Sequence, residues 1–166
     1  PIVLETKPQY NEDMNTSQIL GLVTLAMLLG ALVGIERELA DKPAGLRTHM
    51  LVAGAAALLV SLGDIIIAFF TISSSDVVRS DPIRIVEAVI TGVSFLGAGT
   101  ILRRREAGEV EGLTTAASLL FVAVIGICVA LSELVLAFGS TALALVTLSG
   151  VKYLERWLNR WRQEED

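Results

Sequence analysis

Polar side chains collect at the ends of three apolar stretches of this sequence. The set comprises Glu36, Arg37 and Glu38 after the first stretch, Arg47, Thr48 and His49 before the second, and Thr114 and Thr115 at the start of a later one. Carboxylates and guanidinium groups pair and so stay charged beside apolar segments. The helix start at Thr114 offers free backbone N–H groups to Glu36, to Glu38 or to an anion. Two interpretations stay open: a structural clamp that fixes helix ends, or a site that binds a cation or a partner protein.

Three further carboxylates, Asp64, Glu87 and Glu133, lie inside or beside apolar stretches. Asp64 lies about 22 Å beyond His49 if both belong to one helix. Ionisable residues inside apolar segments are candidates for a function, and carboxylate oxygens suit Mg²⁺. We therefore treat the three as a candidate cation or proton site. The alternative is that Glu133 is solvated and that the other two reach a polar neighbour or the surface.

Other classes of function have little support in the sequence. His49 is the only histidine and has no nucleophile-elbow serine to serve, and no phosphate-cradling loop is present. One histidine and one cysteine, Cys128, are too few for a zinc, haem or iron–sulfur site. The net charge of -5 gives no support to nucleic-acid binding. We expect no enzyme activity, no catalytic residue and no cofactor, with Mg²⁺ as the one ion left open.

Long apolar segments must position these residues. The chain has 166 residues, is 53% hydrophobic and has a mean hydropathy of +0.65. Apolar stretches over about 17–35, 49–71 and 83–102 can each cross a hydrocarbon core of about 30 Å. The stretch 113–151 is long enough for two crossings, with a break expected near 131–133. The sequence predicts an all-α integral membrane bundle of five helices at 17–151, with a polar tail at 1–16 and an amphipathic cytoplasmic tail at 152–166.

Glycines mark the helix faces expected to pack closely. Gly30 and Gly34 form a small-xxx-small pair in the first helix, and Gly92, Gly97 and Gly99 give the third helix a smooth strip. Glycine lets a neighbouring backbone approach in a membrane bundle. We therefore expect the third helix, 83–102, to be the central one, packed on several sides. Glycine faces left over after packing would favour a homo-oligomer.

The basic residues predict an orientation in the membrane. Of the 13 Lys and Arg residues, all but Lys7, Arg79 and Arg84 fall on the side that carries Arg103, Arg104 and the chain end. Since cytoplasmic loops are enriched in Lys and Arg, the N-terminus is expected outside and the C-terminus in the cytoplasm.

Several motifs in order resemble a known family. They are Gly30-xxx-Gly34-Ile35-Glu36-Arg37-Glu38; Ala44-Gly45-Leu46-Arg47-Thr48-His49; Asp81-Pro82 with Arg84; Gly92-x-x-Phe95-Leu96-Gly97-Ala98-Gly99-x-Ile101; and Gly112-Leu113-Thr114-Thr115-Ala116-Ala117-Ser118 followed by Gly126. Together they resemble the MgtC/SapB family of bacterial membrane proteins. The resemblance covers about 30–126.

The resemblance implies a multi-pass inner-membrane protein linked to growth at low magnesium. It implies a regulator that binds membrane partners, including the ATP synthase and sensor kinases. An older description of the family is that of a magnesium-transport component. This chain departs from the family pattern at Ser94, Leu120, Glu87 and Ala88. Many members carry a cytoplasmic C-terminal domain after the fifth helix, which we expect to be absent here.

Two hypotheses follow. The first is a regulatory protein that docks on other membrane proteins through smooth helix faces. The second is a transporter or channel for Mg²⁺ or another cation that uses Asp64, Glu87 and Glu133. Flux of Mg²⁺ into liposomes distinguishes the two.

Overall fold

The computed structural model describes residues 16–73, 82–103 and 110–150, without the side chains of residues 64, 67–73, 82, 102 and 103. The two predicted tails lie outside the described residues, apart from Thr16. The proposed N-cap Asp81 and the basic residues Arg104 and Arg105 also lie outside them.

Five apolar helices form the bundle, as the sequence predicts. They are α1 (Thr16–Leu39), α2 (Leu46–Ser73), α3 (Pro82–Thr100), α4 (Leu113–Ala130) and α5 (Leu134–Leu145). The last helix continues as one π-helical turn, Val146–Gly150. Between α3 and α4, where the sequence predicts only a charged loop, Leu102–Arg103 (β1) pairs antiparallel with Val110–Glu111 (β2).

The lengths of the helices suit a bilayer. Four segments are long and apolar enough to cross a membrane: Thr16–Leu39, Leu46–Gly63, Ile83–Thr100 and Leu113–Ala130. The fifth, Leu134–Gly150, is shorter and equally apolar, and spans roughly 25 Å at the usual rise per residue. Exposed leucine, isoleucine and phenylalanine side chains cover the outside of the bundle, which is the surface expected of a protein solvated by lipid.

The predicted break in the last apolar stretch is confirmed. α4 ends at Ala130 and α5 begins at Leu134, so the two helices form a tight hairpin. Ser132 takes a positive φ of 60°, and the N–H of Glu133 donates to the carbonyl oxygen of Cys128 at 2.9 Å. The turn therefore supplies a hydrogen-bond donor to one of the last carbonyl groups of α4, which have no partner inside the helix.

The predicted boundaries around the first loop are wrong. The sequence predicts that α1 stops before Glu36, but the helix continues to Leu39 because the Arg37 side chain is buried and paired. The sequence also starts α2 at His49, but the helix begins at Leu46, where the carboxylate of Glu38 accepts the backbone N–H. Charged residues here extend helices instead of ending them.

The prediction that α3 is the central helix is also wrong. The central helix is α4, which contacts α1, α2, α3 and α5. In α4, 56% of the residues are buried, against 17% in the α3 segment Ile83–Thr100. Counting glycines identifies a smooth helix but does not say which of its faces finds a neighbour within the chain, so the sequence could not rank the helices.

The predicted packing glycines divide into two groups. A Cβ on Gly30 would lie 2.6 Å from the carbonyl oxygen of His49, and one on Gly34 would lie 2.7 Å from the Cα of Leu46. A Cβ on Gly97 would lie 3.3 Å from the Cβ of Ala116 in α4, which is tighter than an ordinary van der Waals contact. Gly92 and Gly99, by contrast, have no atom within 4 Å of the position that a Cβ would take. Gly30, Gly34 and Gly97 thus approach neighbours in this chain, whereas Gly92 and Gly99 do not.

Candidate functional site

Polar side chains from α1, α2 and α4 meet at one end of the bundle. The close contact of Gly34 with Leu46 brings the end of α1 against the start of α2, and a hydrogen bond between His49 and Ser118 joins the start of α2 to α4. We call this group the polar layer, and it comprises Glu36, Arg37, Glu38, His49, Thr115 and Ser118. Its members come from three helices because short connections return the chain to the same end.

The deepest charge in the polar layer is the guanidinium group of Arg37. Its side chain is 2% exposed, the lowest exposure of any charged residue for which burial is described. Its Nε and Nη2 both lie 2.5 Å from Oε2 of Glu36, whose side chain is 12% exposed. A buried guanidinium needs a carboxylate partner to offset the loss of its hydration. The adjacent Glu36 supplies that partner, so the ion pair allows the buried Arg37 to remain in the last turns of α1.

Glu38 caps the neighbouring helix. Its Oε2 accepts a hydrogen bond from the backbone N–H of Leu46, the first residue of α2, at 2.8 Å. The first N–H groups of a helix have no partner inside it, and a carboxylate also interacts favourably with the positive end of the helix dipole. Glu38 therefore stabilises the start of α2, whereas the sequence offers the start of α4 at Thr114 as one site that could bind Glu36, Glu38 or an anion.

We predict that Glu38→Ala lowers the free energy of unfolding by about 1 kcal/mol, because the N–H of Leu46 loses its acceptor. Glu38→Gln keeps an amide oxygen at this place and is expected to lose less. Unfolding by SDS in mixed micelles, followed by circular dichroism, measures both variants. Equal losses for Ala and Gln would show that the oxygen at Leu46 does not matter.

His49 joins α2 to α4. The ring is 0% exposed, with Nδ1 2.9 Å from the carbonyl oxygen of Gly45 and Nε2 3.0 Å from Oγ of Ser118. Since a carbonyl oxygen only accepts, Nδ1 donates to Gly45, and Nε2 forms the second hydrogen bond with the Ser118 hydroxyl. The Ser118 hydroxyl itself donates to the carbonyl oxygen of Thr115 at 2.8 Å. The arrangement fits a structural histidine that fixes helix separation.

We predict that Ser118→Ala costs about 1–2 kcal/mol of unfolding free energy, because a buried ring nitrogen of His49 is left without a partner. Ser94→Ala is the matched control, since Ser94 is exposed on α3. SDS titration of both variants measures the difference. A loss for Ser94→Ala as large as that for Ser118→Ala would contradict the role given to the His49 bond.

Some of the predicted polar residues lie outside the polar layer. Arg47, Thr48 and Thr114 are exposed, whereas Thr115 is buried. Ser118 also belongs to the layer, although it is not among the site residues predicted from the sequence. Its spacing was the available signal, because a residue three positions after Thr115 lies on the same face of α4.

The three predicted carboxylates lie toward the other end of the bundle. Glu87 is exposed on α3 and Glu133 is exposed in the turn before α5. Asp64 lies in α2 immediately after Gly63, which faces Ile85 of α3, but its side chain is outside the described set. Within the described part of the chain, no group of three or more His, Cys, Asp or Glu side chains could hold a metal ion.

One buried hydroxyl in this region has no hydrogen-bond partner among the described residues. Oγ of Ser61 belongs to a side chain that is 0% exposed, and it lies on α2 three positions before Asp64. A buried hydroxyl without a partner is unusual, since buried polar groups nearly always find one.

The chain is similar to several known proteins. The sequence model described as the MgtC family matches residues 23–157. An uncharacterised protein of Haemophilus influenzae is 36% identical over 145 residues, which is 87% of this chain and 60% of that protein. Protein MgtC of Salmonella typhimurium is 41% identical over 120 residues, 72% of this chain and 46% of that protein.

A third relative carries a functional description in its name. "Putative magnesium transporter YhiD" of Escherichia coli K12 is 40% identical over 116 residues, 70% of this chain and 52% of that protein. The chain thus spans about half the length of these relatives. No solved structure matches it.

The family match covers most of the described helices and extends past both ends of the polar layer in the sequence. It agrees with a bundle of several apolar helices, each of a length that suits a bilayer. The chain is a multi-pass membrane protein and belongs to the MgtC family.

Proposed function

We propose that this protein is a regulator of magnesium homeostasis in the bacterial inner membrane, which supports growth at low Mg²⁺ by binding another integral membrane protein. The family resemblance suggests the ATP synthase, or a sensor kinase, as that partner. The name of the relative YhiD supports the connection with magnesium.

The main support for the proposal is that the side chains of the polar layer are already bound to groups within the chain. Glu36 binds Arg37, Glu38 binds the N–H of Leu46, and His49 binds Ser118. Groups that are already bound to one another fix the helix ends and are not free to ligate a passing cation. This supports the clamp interpretation, in which the layer gives a rigid bundle and the outer helix surfaces make the functional contacts.

The basic residues support the cytoplasmic location proposed for the polar layer. Lys42 and Arg47 lie at the α1–α2 connection, and Arg103 lies in β1 at the end of α3. Cytoplasmic loops are enriched in such residues. A regulator with this orientation would present the layer to the cytoplasmic side of its partner.

The test is a paired measurement in one strain. A tagged copy is expressed in cells that lack the protein, growth at limiting Mg²⁺ is recorded, and the tagged protein is purified in mild detergent for mass spectrometry. We expect growth to be restored and ATP synthase subunits to be enriched over a tagged, unrelated multi-pass protein. Restored growth without enrichment of any membrane protein would reject the proposal.

One observation favours transport as a second candidate function. The partnerless hydroxyl of Ser61 lies one helical turn before Asp64, and Glu87 belongs to the helix that contacts this part of α2. Oxygen ligands of this kind suit Mg²⁺. If transport is the function, Asp64→Asn and Glu87→Gln abolish growth at limiting Mg²⁺. Unchanged growth with a normal amount of protein rejects this site.

A further inference from the structure

The outer face of α3 is not covered by the rest of the described chain. Arg84, Ala88, Thr91, Phe95 and Ala98 are all exposed, and Phe95 is 81% exposed. We call these residues the α3 seam. The opposite face of the helix is the one that packs within the chain, where Val89 and Val93 are buried and Gly97 meets Ala116 of α4.

The spacing of the α3 seam is that of a helix-pairing surface. Its residues recur at intervals of four and three, which is the heptad pattern of two helices that cross at a small angle. Gly92 and Gly99 lie beside the seam, seven residues apart, with no atom within 4 Å of a Cβ position. Small residues at Ala88 and Ala98 allow a second backbone to approach on both sides of Phe95.

Two opposite charges on this outward surface have no charged partner among the side chains that the structure describes. Arg84 lies in the seam and Glu87 lies beside it, and neither has an oppositely charged atom within 4.0 Å among the described residues. Ionisable side chains on the lipid side of a helix are costly and are usually paired. The two residues are about 4.5 Å apart along the helix axis.

A second copy of the same chain satisfies both charges at once. Two copies inserted in the same direction bring their α3 helices together in parallel, so that residues of equal depth meet. A two-fold axis then places Arg84 of each copy within reach of Glu87 of the other, because an isologous contact makes each interaction twice. The same axis places the two Phe95 rings side by side, where aromatic rings stack favourably.

We propose that the α3 seam is the contact between two copies of this protein in the membrane, with reciprocal Arg84–Glu87 pairs near the membrane surface opposite the polar layer. The contact is independent of the partner proposed above, because a regulator and a transporter can each be a dimer.

Cysteine cross-linking in native membranes tests the position of the contact. In a Cys128→Ala background, Thr91→Cys is compared with Thr24→Cys. Both threonines are exposed, and each donates its hydroxyl to the carbonyl four residues earlier at 2.7 Å. They also lie at similar distances from the N-terminal ends of their helices. We expect oxidation to link Thr91→Cys into covalent dimers and to leave Thr24→Cys monomeric.

Charge exchange tests the reciprocal pair. In the Thr91→Cys background, Arg84→Glu and Glu87→Arg are each expected to lower the yield of covalent dimer about tenfold. The double variant, with both charges exchanged, is expected to regain the parent yield. Both residues are exposed in the single chain, so we expect these variants to fold normally. Size-exclusion chromatography in detergent checks this, since folded monomer elutes as a single peak.

Three results would overturn the proposal. The first is equal cross-linking of Thr91→Cys and Thr24→Cys. The second is a double variant that cross-links no better than the single variants. The third is a covalent link from Thr91→Cys to a different protein instead of a second copy.

Discussion

Gly126→Ala is expected to lower the free energy of unfolding by about 3 kcal/mol, near the upper end of the usual cost of overpacking a core. A Cβ at this position would overlap the carbonyl oxygen of Ala53, a backbone atom of α2 that cannot rotate away. The added methyl group therefore has to separate α2 from α4, the central helix. SDS titration of the purified protein in mixed micelles measures the change.

Gly139→Ala is the matched control for this prediction. Gly139 also lies inside an apolar helix, but no atom is within 4 Å of its Cβ position. Alanine is a better helix former than glycine by about 1 kcal/mol, so this variant is expected to be as stable as the parent or more stable. If the two variants lost equal stability, close contact between α2 and α4 would not be what Gly126 provides.

Arg37→Met is expected to destabilise the protein by about 3–5 kcal/mol. The substitution keeps most of the volume of the side chain but leaves the carboxylate of Glu36, only 12% exposed, without the guanidinium that it binds. The remaining charge then has to be hydrated, which pulls the end of α1 away from the start of α2. The same SDS titration detects this loss, and growth at limiting Mg²⁺ is expected to fall with the amount of folded protein.

A second variant separates the charge effect from the loss of packing. Glu36→Gln combined with Arg37→Met removes both charges and is expected to recover much of the stability lost in the single variant, because no unpaired charge remains. Arg47→Met is the control for removing an arginine at this end of the bundle, since Arg47 is exposed in the first turn of α2. A double variant as unstable as Arg37→Met alone would contradict the ion pair as the reason for the loss.

Most of the fold could be predicted from the sequence because lipid imposes strong limits on length. A segment needs about 20 apolar residues to cross, which fixes the number of helices and forces a break in the stretch 113–151. The break is found at 131–133, between α4 and α5. The grouping of the polar ends of α1, α2 and α4 also follows, because short connections return the chain to the same end.

The details that the sequence missed depend on which partner each side chain finds. The sequence predicts that the first helix ends before Glu36, Arg37 and Glu38, since charges usually leave an apolar segment. In the structure the first two neutralise each other and the third caps α2, so the helix continues. The predicted site omits Ser118, although its position three residues after Thr115 puts it on the same face of α4. Its contact with His49 is visible only in the structure.

The choice of α3 as the central helix shows the limit of glycine patterns. Gly92 and Gly99 mark a smooth surface, but the helix that packs on such a surface can belong to another chain. α4 contains a single glycine, Gly126, and is nevertheless the helix that contacts the other four. A single glycine that contacts a neighbouring backbone, such as Gly126, therefore says more about which helix is central than several glycines on an exposed face.

Entry of Mg²⁺ into liposomes that contain the purified protein and a magnesium-sensitive dye separates regulation from transport. If the polar layer only fixes the helix ends and the protein acts by binding other membrane proteins, it carries no Mg²⁺ itself. We predict the rate found for protein-free liposomes, with no change on Asp64→Asn. Saturable Mg²⁺ entry that Asp64→Asn abolishes would contradict this prediction.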